Sequence, residues 1–150
     1  MKLAFGCDNS AVALKKALME HAAQLGHECI DCGVHEGEPN HYPIYAARAA
    51  RMVASGEVDR GVVICGTGVG VSLSANKIKG IRCALCSDCY TAKYTRLHND
   101  ANMLALGARV IGPELAKMIL EYFLSTEFEG GRHRLRVDMI SALERGESIE

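Results

Sequence analysis

The sequence has no long hydrophobic run, no block of basic residues and almost no net charge. The formal net charge is -1 at pH 7 for the 150 residues, which argues against a protein that binds nucleic acid or a membrane surface electrostatically. No stretch approaches the roughly 20 apolar residues that a membrane span needs, and the apolar run after Met1 is too short for a signal peptide. We therefore expect a cytosolic protein that contacts neither nucleic acid nor membrane.

The chain also lacks an internal repeat, a low-complexity segment and any need for a second domain. A chain of this length buries enough apolar surface for one stable core, so we expect residues 1–150 to form a single domain. Its seven cysteines are an odd number, and in a cytosolic protein they are typical of reduced thiols rather than of disulfide bridges.

Strand patterns alternate with helical patterns along most of the chain. The predicted strands are Lys2 to Cys7, His27 to Cys32, Gly61 to Ile64, Ile81 to Cys86 and Asn102 to Leu106. The predicted helices run from about Ala11 to Leu25, Pro43 to Ser55, Val71 to Lys77, the Ser87-Asp88 cap to Leu97, and Pro113 to Ser125. This alternation predicts a parallel sheet with helices on both faces. We expect a last helix, from Arg132 to about Arg145, to reach over a neighbouring subunit.

The most informative stretch is the third strand and the glycines after it. Val62 to Ile64 is apolar on both faces, as in a buried parallel strand, and Cys65 follows at its carboxyl end, where open α/β sheets bind ligands. The loop Gly66 to Gly70 is one residue too short for a dinucleotide fingerprint and has no P-loop lysine. Backbone N–H groups at such a helix start could bind an anion or an oxyanion, although a plain glycine turn is the alternative.

The cysteines allow more than one interpretation. A thiol at a helix N-terminus should be more acidic than usual, which would let Cys65 act as a base or nucleophile, but a buried core cysteine fits the spacing as well. Two further groups have the three-residue spacing of a metal site, namely Cys29 with Cys32, and Cys83 with Cys86 and Cys89. Residues three apart on a strand point to opposite faces, so these groups favour apolar packing over metal binding.

Basic residues in the second half of the chain point to an anionic ligand. Arg132 and Arg136 are four residues apart, so they share one face at the start of the last predicted helix. Cations at a helix N-terminus oppose the helix dipole, and a bound phosphate would explain them. His98, in a predicted His98-Asn99-Asp100 loop at a helix end, could face a crevice or be an ordinary solvated histidine.

Together these motifs resemble the type B ribose-5-phosphate isomerase family, which includes allose-6-phosphate and galactose-6-phosphate isomerases. The resemblance covers nearly the whole chain in six motifs. They are Gly6-Cys7-Asp8, Cys65 to Gly70, Ala75-Asn76-Lys77, His98-Asn99-Asp100, Gly107 with Arg109-Val110, and Gly130 to His133 with Arg136-Val137.

The resemblance implies a Rossmann-like three-layer α/β/α sandwich with a five-stranded parallel sheet and an extra C-terminal helix. It also implies a homodimer or dimer of dimers that uses no metal and no cofactor. The family interconverts a sugar phosphate between aldose and ketose, which makes ribose 5-phosphate the first expected substrate, converted to ribulose 5-phosphate through a cis-enediolate. A hexose phosphate isomerase is the nearest alternative, and a non-catalytic sugar-phosphate-binding protein is an alternative of another class.

The resemblance also implies roles for individual residues. Cys65 would be the base that moves a proton between C1 and C2, and His98 the acid that assists ring opening. The remaining residues would bind the substrate, in part across a subunit boundary. They are Gly66, Thr67, Gly68, Val69 and Gly70 on the enediolate oxygen, Asp8, Asn9 and Asn99 on the sugar, and Arg109, Arg132 and Arg136 at the phosphate.

One position departs from the usual family pattern, and a second bears on which residue is the base. Asn9 stands where histidine is usual, and an amide can donate and accept hydrogen bonds but carries no charge. This difference bears on which sugar is bound. Val71 stands where some members have a catalytic glutamate, which leaves Cys65 as the only base available at this place.

Overall fold

A computed structural model describes all 150 residues and contains a five-stranded sheet and six α-helices. The strands are β1 (Lys2–Cys7), β2 (Glu28–Asp31), β3 (Arg60–Cys65), β4 (Cys83–Leu85) and β5 (Met103–Gly107). The helices are α1 (Val12–Gln24), α2 (Tyr42–Ala54), α3 (Val69–Ala75), α4 (Cys89–Asn99), α5 (Pro113–Ser125) and α6 (Arg132–Glu144). A short 3-10 turn, Asn9–Ala11, precedes α1. None of the helices has the length and apolar character needed to cross a bilayer.

All neighbouring strands are parallel, in the order β2-β1-β3-β5-β4. The chain moves from β1 to β2 on one side and then returns to place β3 on the other side of β1, which creates the crevice where such sheets bind ligands. Cys7 pairs with Ile64 and Cys65 pairs with Gly107, so the carboxyl ends of the three central strands lie side by side. The predicted α/β/α sandwich is therefore confirmed.

Each face of the sheet has its own hydrophobic core. Helices α1, α4 and α5 cover one face and pack on Val62 and Ile64, whereas α2 and α3 cover the other and pack on Val63 and Cys65. This division follows from the alternation of side chains along β3, which is buried on both faces. Helix α6 packs outside this arrangement, against α4.

A buried ion pair fixes the end of β2. Lys15 of α1 is only 1% exposed, and its Nζ lies 2.5 Å from Oδ1 of Asp31. The same oxygen accepts the backbone N–H of Gly33 at 2.9 Å. One carboxylate thus joins α1 to Gly33, near the start of the long loop that leads to α2, and that loop borders the carboxyl end of the sheet.

The structure corrects the predicted end of α4. We expected His98 and Asn99 in a loop after about Leu97, but the helix continues through Asn99 and ends where Asp100 adopts a left-handed conformation with φ 46°. The buried Arg96 determines this end, since its Nη1 donates to Oδ1 of Asp100 at 2.9 Å and to the carbonyl oxygen of Ala101 at 2.6 Å. A left-handed residue is a common way to terminate a helix.

Several other boundaries are shifted by one or more residues from the prediction, and two of these shifts change an element near the glycine loop. Helix α3 begins at Val69, two residues before the predicted Val71, because Gly68 has φ 80° and turns the chain directly into the helix. Strand β4 covers only Cys83–Leu85 and, as an edge strand, pairs with β5 alone.

Candidate active site

Cys65 is buried at the carboxyl end of β3 and faces into the glycine loop. Its Sγ accepts the backbone N–H of Gly68 at 3.2 Å. Gly70 and Val71 lie in the first turn of α3, where backbone N–H groups have no partner within the helix. The Val71 side chain is fully buried and, being aliphatic, adds no titratable group. A thiol and several backbone N–H donors thus surround one position at the carboxyl end of β3. This is the crevice where the strand order reverses between β1 and β3.

The end of β5 supports this loop from the side. A Cβ on Gly107 would lie 2.6 Å from the carbonyl oxygen of Thr67, so only glycine allows the two segments to approach so closely. The backbone N–H of Arg109 donates to the carbonyl oxygen of Gly66 at 2.9 Å. The Arg109 guanidinium consequently lies over the loop, 3.4 Å from where a Cβ on Gly66 would be.

Asp8 and Asn9 follow β1 at the neighbouring strand end. The Asp8 carboxylate accepts hydrogen bonds from the backbone N–H of Ser10 at 3.0 Å and from its hydroxyl at 2.6 Å, which caps the short turn before α1. Asn9 is exposed, and its backbone N–H donates to Oδ1 of Asn40 at 2.8 Å. The long loop after β2 therefore determines where Asn9 lies.

A second group of predicted residues is built by α4 and α6. The rings of His98 and His133 stack with centroids 4.0 Å apart and an interplanar angle of 6°, and Tyr94 contacts His98 edge-on. Nε of Arg132 is 3.5 Å from Nε2 of His133. Asn99 is exposed beside His98. This cluster is at the outer surface of α4, where α6 packs on it.

Two arginines and one carboxylate, that of Glu129, surround the histidines of this second group. Arg132 and Arg136 are exposed on α6 as predicted, and neither forms an ion pair within the chain. Burial lowers the pKa of His133, and His98, Arg132 and Arg136 lower it further, whereas the nearby Glu129 carboxylate opposes this shift. Two arginines without carboxylate partners beside a neutral imidazole are well suited to bind an anion.

Within one chain the two groups lie at opposite ends of the strands, the first at the carboxyl ends and the second near the amino ends. Cys65 pairs with Gly107 at the carboxyl end of β5, whereas Asn99 ends α4 just before Met103, the first residue of β5. A strand of this length spans roughly 13 Å. The fold thus collects Asp8, Asn9, the glycine loop and Arg109 around Cys65, and it places His98, Asn99, Arg132 and Arg136 together elsewhere.

The additional cysteines do not form a metal site. All seven are free thiols, and burial raises the pKa of Cys32 to about 11 and the pKa of both Cys83 and Cys86 to about 12. Such thiols stay protonated at neutral pH and bind metals poorly. The only group of three metal-ligating side chains in the structure contains no cysteine; it consists of His98, Glu129 and His133.

Sequence reasoning missed three residues that border these groups. Tyr42 lies over the glycine loop, where a Cβ on Gly70 would be 2.7 Å from its ring. His133 and Glu129 border His98. His133 follows Arg132 directly and could have been noticed on that ground, but no local pattern marks Glu129 or Tyr42, because both approach through tertiary packing.

Comparison with known proteins places the chain in a family. The family model described as Ribose/Galactose Isomerase matches residues 3–140. The chain belongs to the ribose/galactose isomerase family. Among curated members of this family, ribose-5-phosphate isomerase B of Escherichia coli is 51% identical over 144 residues, which cover 96% of this chain and 97% of that protein.

Solved structures of family members have the same fold. Ribose-5-phosphate isomerase B of Clostridium thermocellum is 47% identical, with a TM-score of 0.95 over 99% of this chain and 100% of that one. The enzyme of Mycoplasma genitalium, solved with bound ribulose-5-phosphate, is 36% identical, with a TM-score of 0.90 over 96% of both chains. The family resemblance inferred from the six sequence motifs is thereby confirmed.

Proposed function

We propose that this protein is a sugar-phosphate isomerase that interconverts ribose 5-phosphate and ribulose 5-phosphate. The observation that carries the proposal is the placement of Cys65, whose Sγ accepts the N–H of Gly68 at the switch point of the sheet. The activity named for the Escherichia coli relative and the ribulose-5-phosphate bound to the Mycoplasma genitalium relative support the choice of sugar.

The chemistry requires one base and a site for negative charge. Cys65 takes the proton from C2 of the open-chain aldose, the C1 carbonyl oxygen takes up the charge, and a cis-enediolate forms. The proton of the C2 hydroxyl moves to the C1 oxygen, and the same thiol returns its proton to C1 as C2 becomes the carbonyl, so the atoms balance and no net oxidation occurs. Backbone N–H groups of the Gly66 to Gly70 loop stabilise the charged oxygen, which is where preorganised donors contribute most.

The remaining residues have roles in binding and ring opening. Asp8, Asn9 and Asn99 would contact sugar hydroxyls, and His98 would donate a proton as the ring opens. Arg109, Arg132 and Arg136 would bind the phosphate, which anchors a small flexible sugar and keeps the reacting carbon over the thiol.

We further propose a homodimer, or a dimer of such dimers, in which each site uses both chains. In one chain Cys65 lies at the carboxyl end of the strands, whereas His98 and Arg132 lie near the amino end of β5. A twofold axis would bring the His98 group of one chain to the Cys65 group of its partner, and the reciprocal pairing would follow from the symmetry. Exposed apolar side chains surround the glycine loop and fit a subunit contact; they are Val69, Leu73, Leu85 and Val110.

A complementation experiment tests the shared site. Dimers of C65A and dimers of H98N should each be nearly inactive. After dissociation and reassociation of an equal mixture, half of the dimers contain both variants, and each of these has one complete site. About a quarter of the wild-type activity should therefore return, since half of the sites in half of the dimers are intact. Absence of any recovery in proven mixed dimers would refute the shared site.

Turnover of a sugar panel tests the substrate. Purified protein is incubated with ribose 5-phosphate, allose 6-phosphate and galactose 6-phosphate, and aldose-to-ketose conversion is followed. One observation supports the hexose alternative. Asn9 replaces the usual histidine, and its backbone is held by Asn40 of the long loop. Turnover of a hexose phosphate without turnover of ribose 5-phosphate would overturn the pentose assignment, and binding without turnover of any sugar would indicate a non-catalytic binder.

A cytosolic location is part of this proposal. All seven cysteines are free, and several are buried among apolar side chains. Unpaired thiols are the rule in reducing compartments. Cell fractionation with an antibody to the protein would test it.

A further inference from the structure

His98, Glu129 and His133 form a side-chain cluster, and the proposed isomerisation gives a role only to His98. Oε2 of Glu129 is 3.7 Å from Nε2 of His98 and 3.5 Å from Nε2 of His133. All three ligand atoms lie within 4.8 Å of one another. The segment that carries Glu129 is fixed to α4, because its backbone N–H donates to the carbonyl oxygen of Leu97 at 3.1 Å.

Two imidazoles and a carboxylate are the ligand set of open zinc sites. Zinc binds these atoms at about 2.0–2.2 Å, so two ligands at a tetrahedral angle are roughly 3.3 Å apart. The separations of Glu129 from both histidines exceed this value by only a few tenths of an ångström. Glu129 therefore needs only small movements to reach the ligand separation from each histidine.

One of the rings must rotate for both to bind the same ion. The ring planes of His98 and His133 are nearly parallel, and parallel rings cannot both direct a nitrogen lone pair at one point. The His98 side chain is 35% exposed and that of His133 only 6%, so His98 is the ring that would rotate, and its stacking on His133 would be lost. The ion must also displace Nε–H of Arg132, whose 3.5 Å contact with His133 is long for a hydrogen bond.

We propose that His98, Glu129 and His133 bind one Zn²⁺ ion per chain and that this ion inhibits the enzyme. The inhibitory part rests on the proposed function, in which His98 donates a proton during ring opening. A histidine that binds zinc through Nε2 cannot donate a proton from that atom. Three protein ligands leave a fourth position open for water or for a phosphate oxygen of the sugar, and Arg132 lies beside it.

Metal binding is measured first, without reference to activity. Wild-type protein, E129Q and H133N are dialysed against Zn²⁺ and the bound metal is counted. A separate titration with Co²⁺ records its visible absorption. We expect one ion per wild-type chain, bound at least about 10-fold more weakly by both variants. H21N is the matched control, since His21 and Glu121 form a histidine-carboxylate pair at 2.7 Å without a third ligand, and it should bind as the wild type does.

The cobalt spectrum separates this site from the cysteines. Nitrogen and oxygen ligands give visible d–d bands alone, whereas a thiolate ligand adds charge-transfer absorption in the near ultraviolet. A thiolate signature at the first equivalent of metal would overturn the proposal. Equal affinity of wild type, E129Q and H133N would also overturn it.

Inhibition is measured on whichever sugar phosphate the wild type turns over. Zn²⁺ should inhibit the wild type and H21N at the same concentration, and E129Q should require at least about 10-fold more. Zinc bound by the three residues without inhibition would overturn the inhibitory part. A protein that binds zinc in this way but isomerises no sugar phosphate would contradict the proposed function and leave the metal site standing, whereas an active isomerase that binds no zinc would remove the site alone.

Discussion

Cys65 and Gly68 are joined across the glycine loop by a hydrogen bond of 3.2 Å, in which the backbone N–H of Gly68 donates to the thiol sulfur. Gly68 can take this position only because it tolerates φ 80°. This hydrogen bond holds the sulfur beside the backbone N–H groups of the loop. The backbone conformation of Gly68 thus determines where the Cys65 side chain lies.

Replacement of Cys65 should remove most of the activity without loss of the fold. A positioned general base contributes about 10²–10⁴-fold to a rate, so we expect kcat of C65A to fall by about that factor. Initial rates of aldose-to-ketose conversion measure it, with circular dichroism to verify folding. C29A is the control, since Cys29 lies in β2 with its thiol toward the carbonyl oxygen of Met19. Full activity of C65A would refute its role as the base.

An alanine at Gly68 should affect both stability and activity. Gly68 and Gly26 have similar positive φ values, 80° and 87°, but an added Cβ meets nothing at Gly26 and lies 2.8 Å from the backbone carbon of Leu106 at Gly68. We expect G26A to lower the free energy of unfolding by about 1–2 kcal/mol, and G68A by roughly 3 kcal/mol or more because overlap adds to strain. Urea denaturation measures the difference. Only G68A should also lose turnover. Equal losses of unfolding free energy in the two variants would contradict the close approach of Gly68 to the Leu106 backbone.

Loss of Arg136 should weaken substrate binding more than it slows the chemical step. A hydrogen bond to a charged group contributes about 1.5–3 kcal/mol, which corresponds to a rise in KM of roughly 10 to 100-fold for R136A. R134A is the matched control, because Arg134 is two residues away on the same helix and lies over the ring of Phe128 at 4.6 Å. Steady-state kinetics separates KM from kcat. An equal rise in KM for R134A would argue against a specific phosphate contact.

Asn9 and its partner Asn40 should influence the choice of sugar. Oδ1 of Asn40 accepts the backbone N–H of Asn9 at 2.8 Å, so N40A releases the backbone that positions the Asn9 side chain. We expect N40A to change the ratio of kcat/KM between pentose and hexose phosphates by about 2 to 10-fold, the value of one ordinary hydrogen bond. The ratio is measured for both sugars in N40A and in N9H. If neither variant moves it, the loop does not select the sugar.

The buried pair of Lys15 and Asp31 should respond unequally to removal of each partner. D31N leaves a buried ammonium without its counter-charge, which should cost about 3–5 kcal/mol of unfolding free energy. K15M replaces the lysine with an apolar chain of similar length and leaves a carboxylate that is 32% exposed, so water can solvate it and the loss should be less than half as large. Denaturant unfolding of both variants tests this order, which equal losses would contradict.

Much of the fold could be predicted from local patterns. The bounds of β1 and α5 agree with the prediction residue for residue, because β1 is a buried strand and Pro113 marks the start of a strongly amphipathic helix. The end of α4 could not be predicted. Arg96 reaches over the next turn to Asp100 and Ala101 and moves the end of the helix past His98, and no propensity of these residues indicates that contact.

The candidate site was predictable in its parts and not in its arrangement. Cys65 and the glycines after it are adjacent in the chain, so their spacing is visible in the sequence. The contact of Arg109 with the glycine loop arises only when β5 pairs beside β3. The stacking of His98 on His133 likewise requires α6 to pack on α4.

The sequence alone determined the alternation of strands and helices, the family, and the identity of the thiol and arginines, because these depend on residue type and on spacing along the chain. Only the tertiary structure decided which of these residues meet. Parallel strands place every carboxyl end at one edge of the sheet and every helix end at the other, which is why Cys65 and His98 lie apart in one chain while His98, His133 and Glu129 lie together.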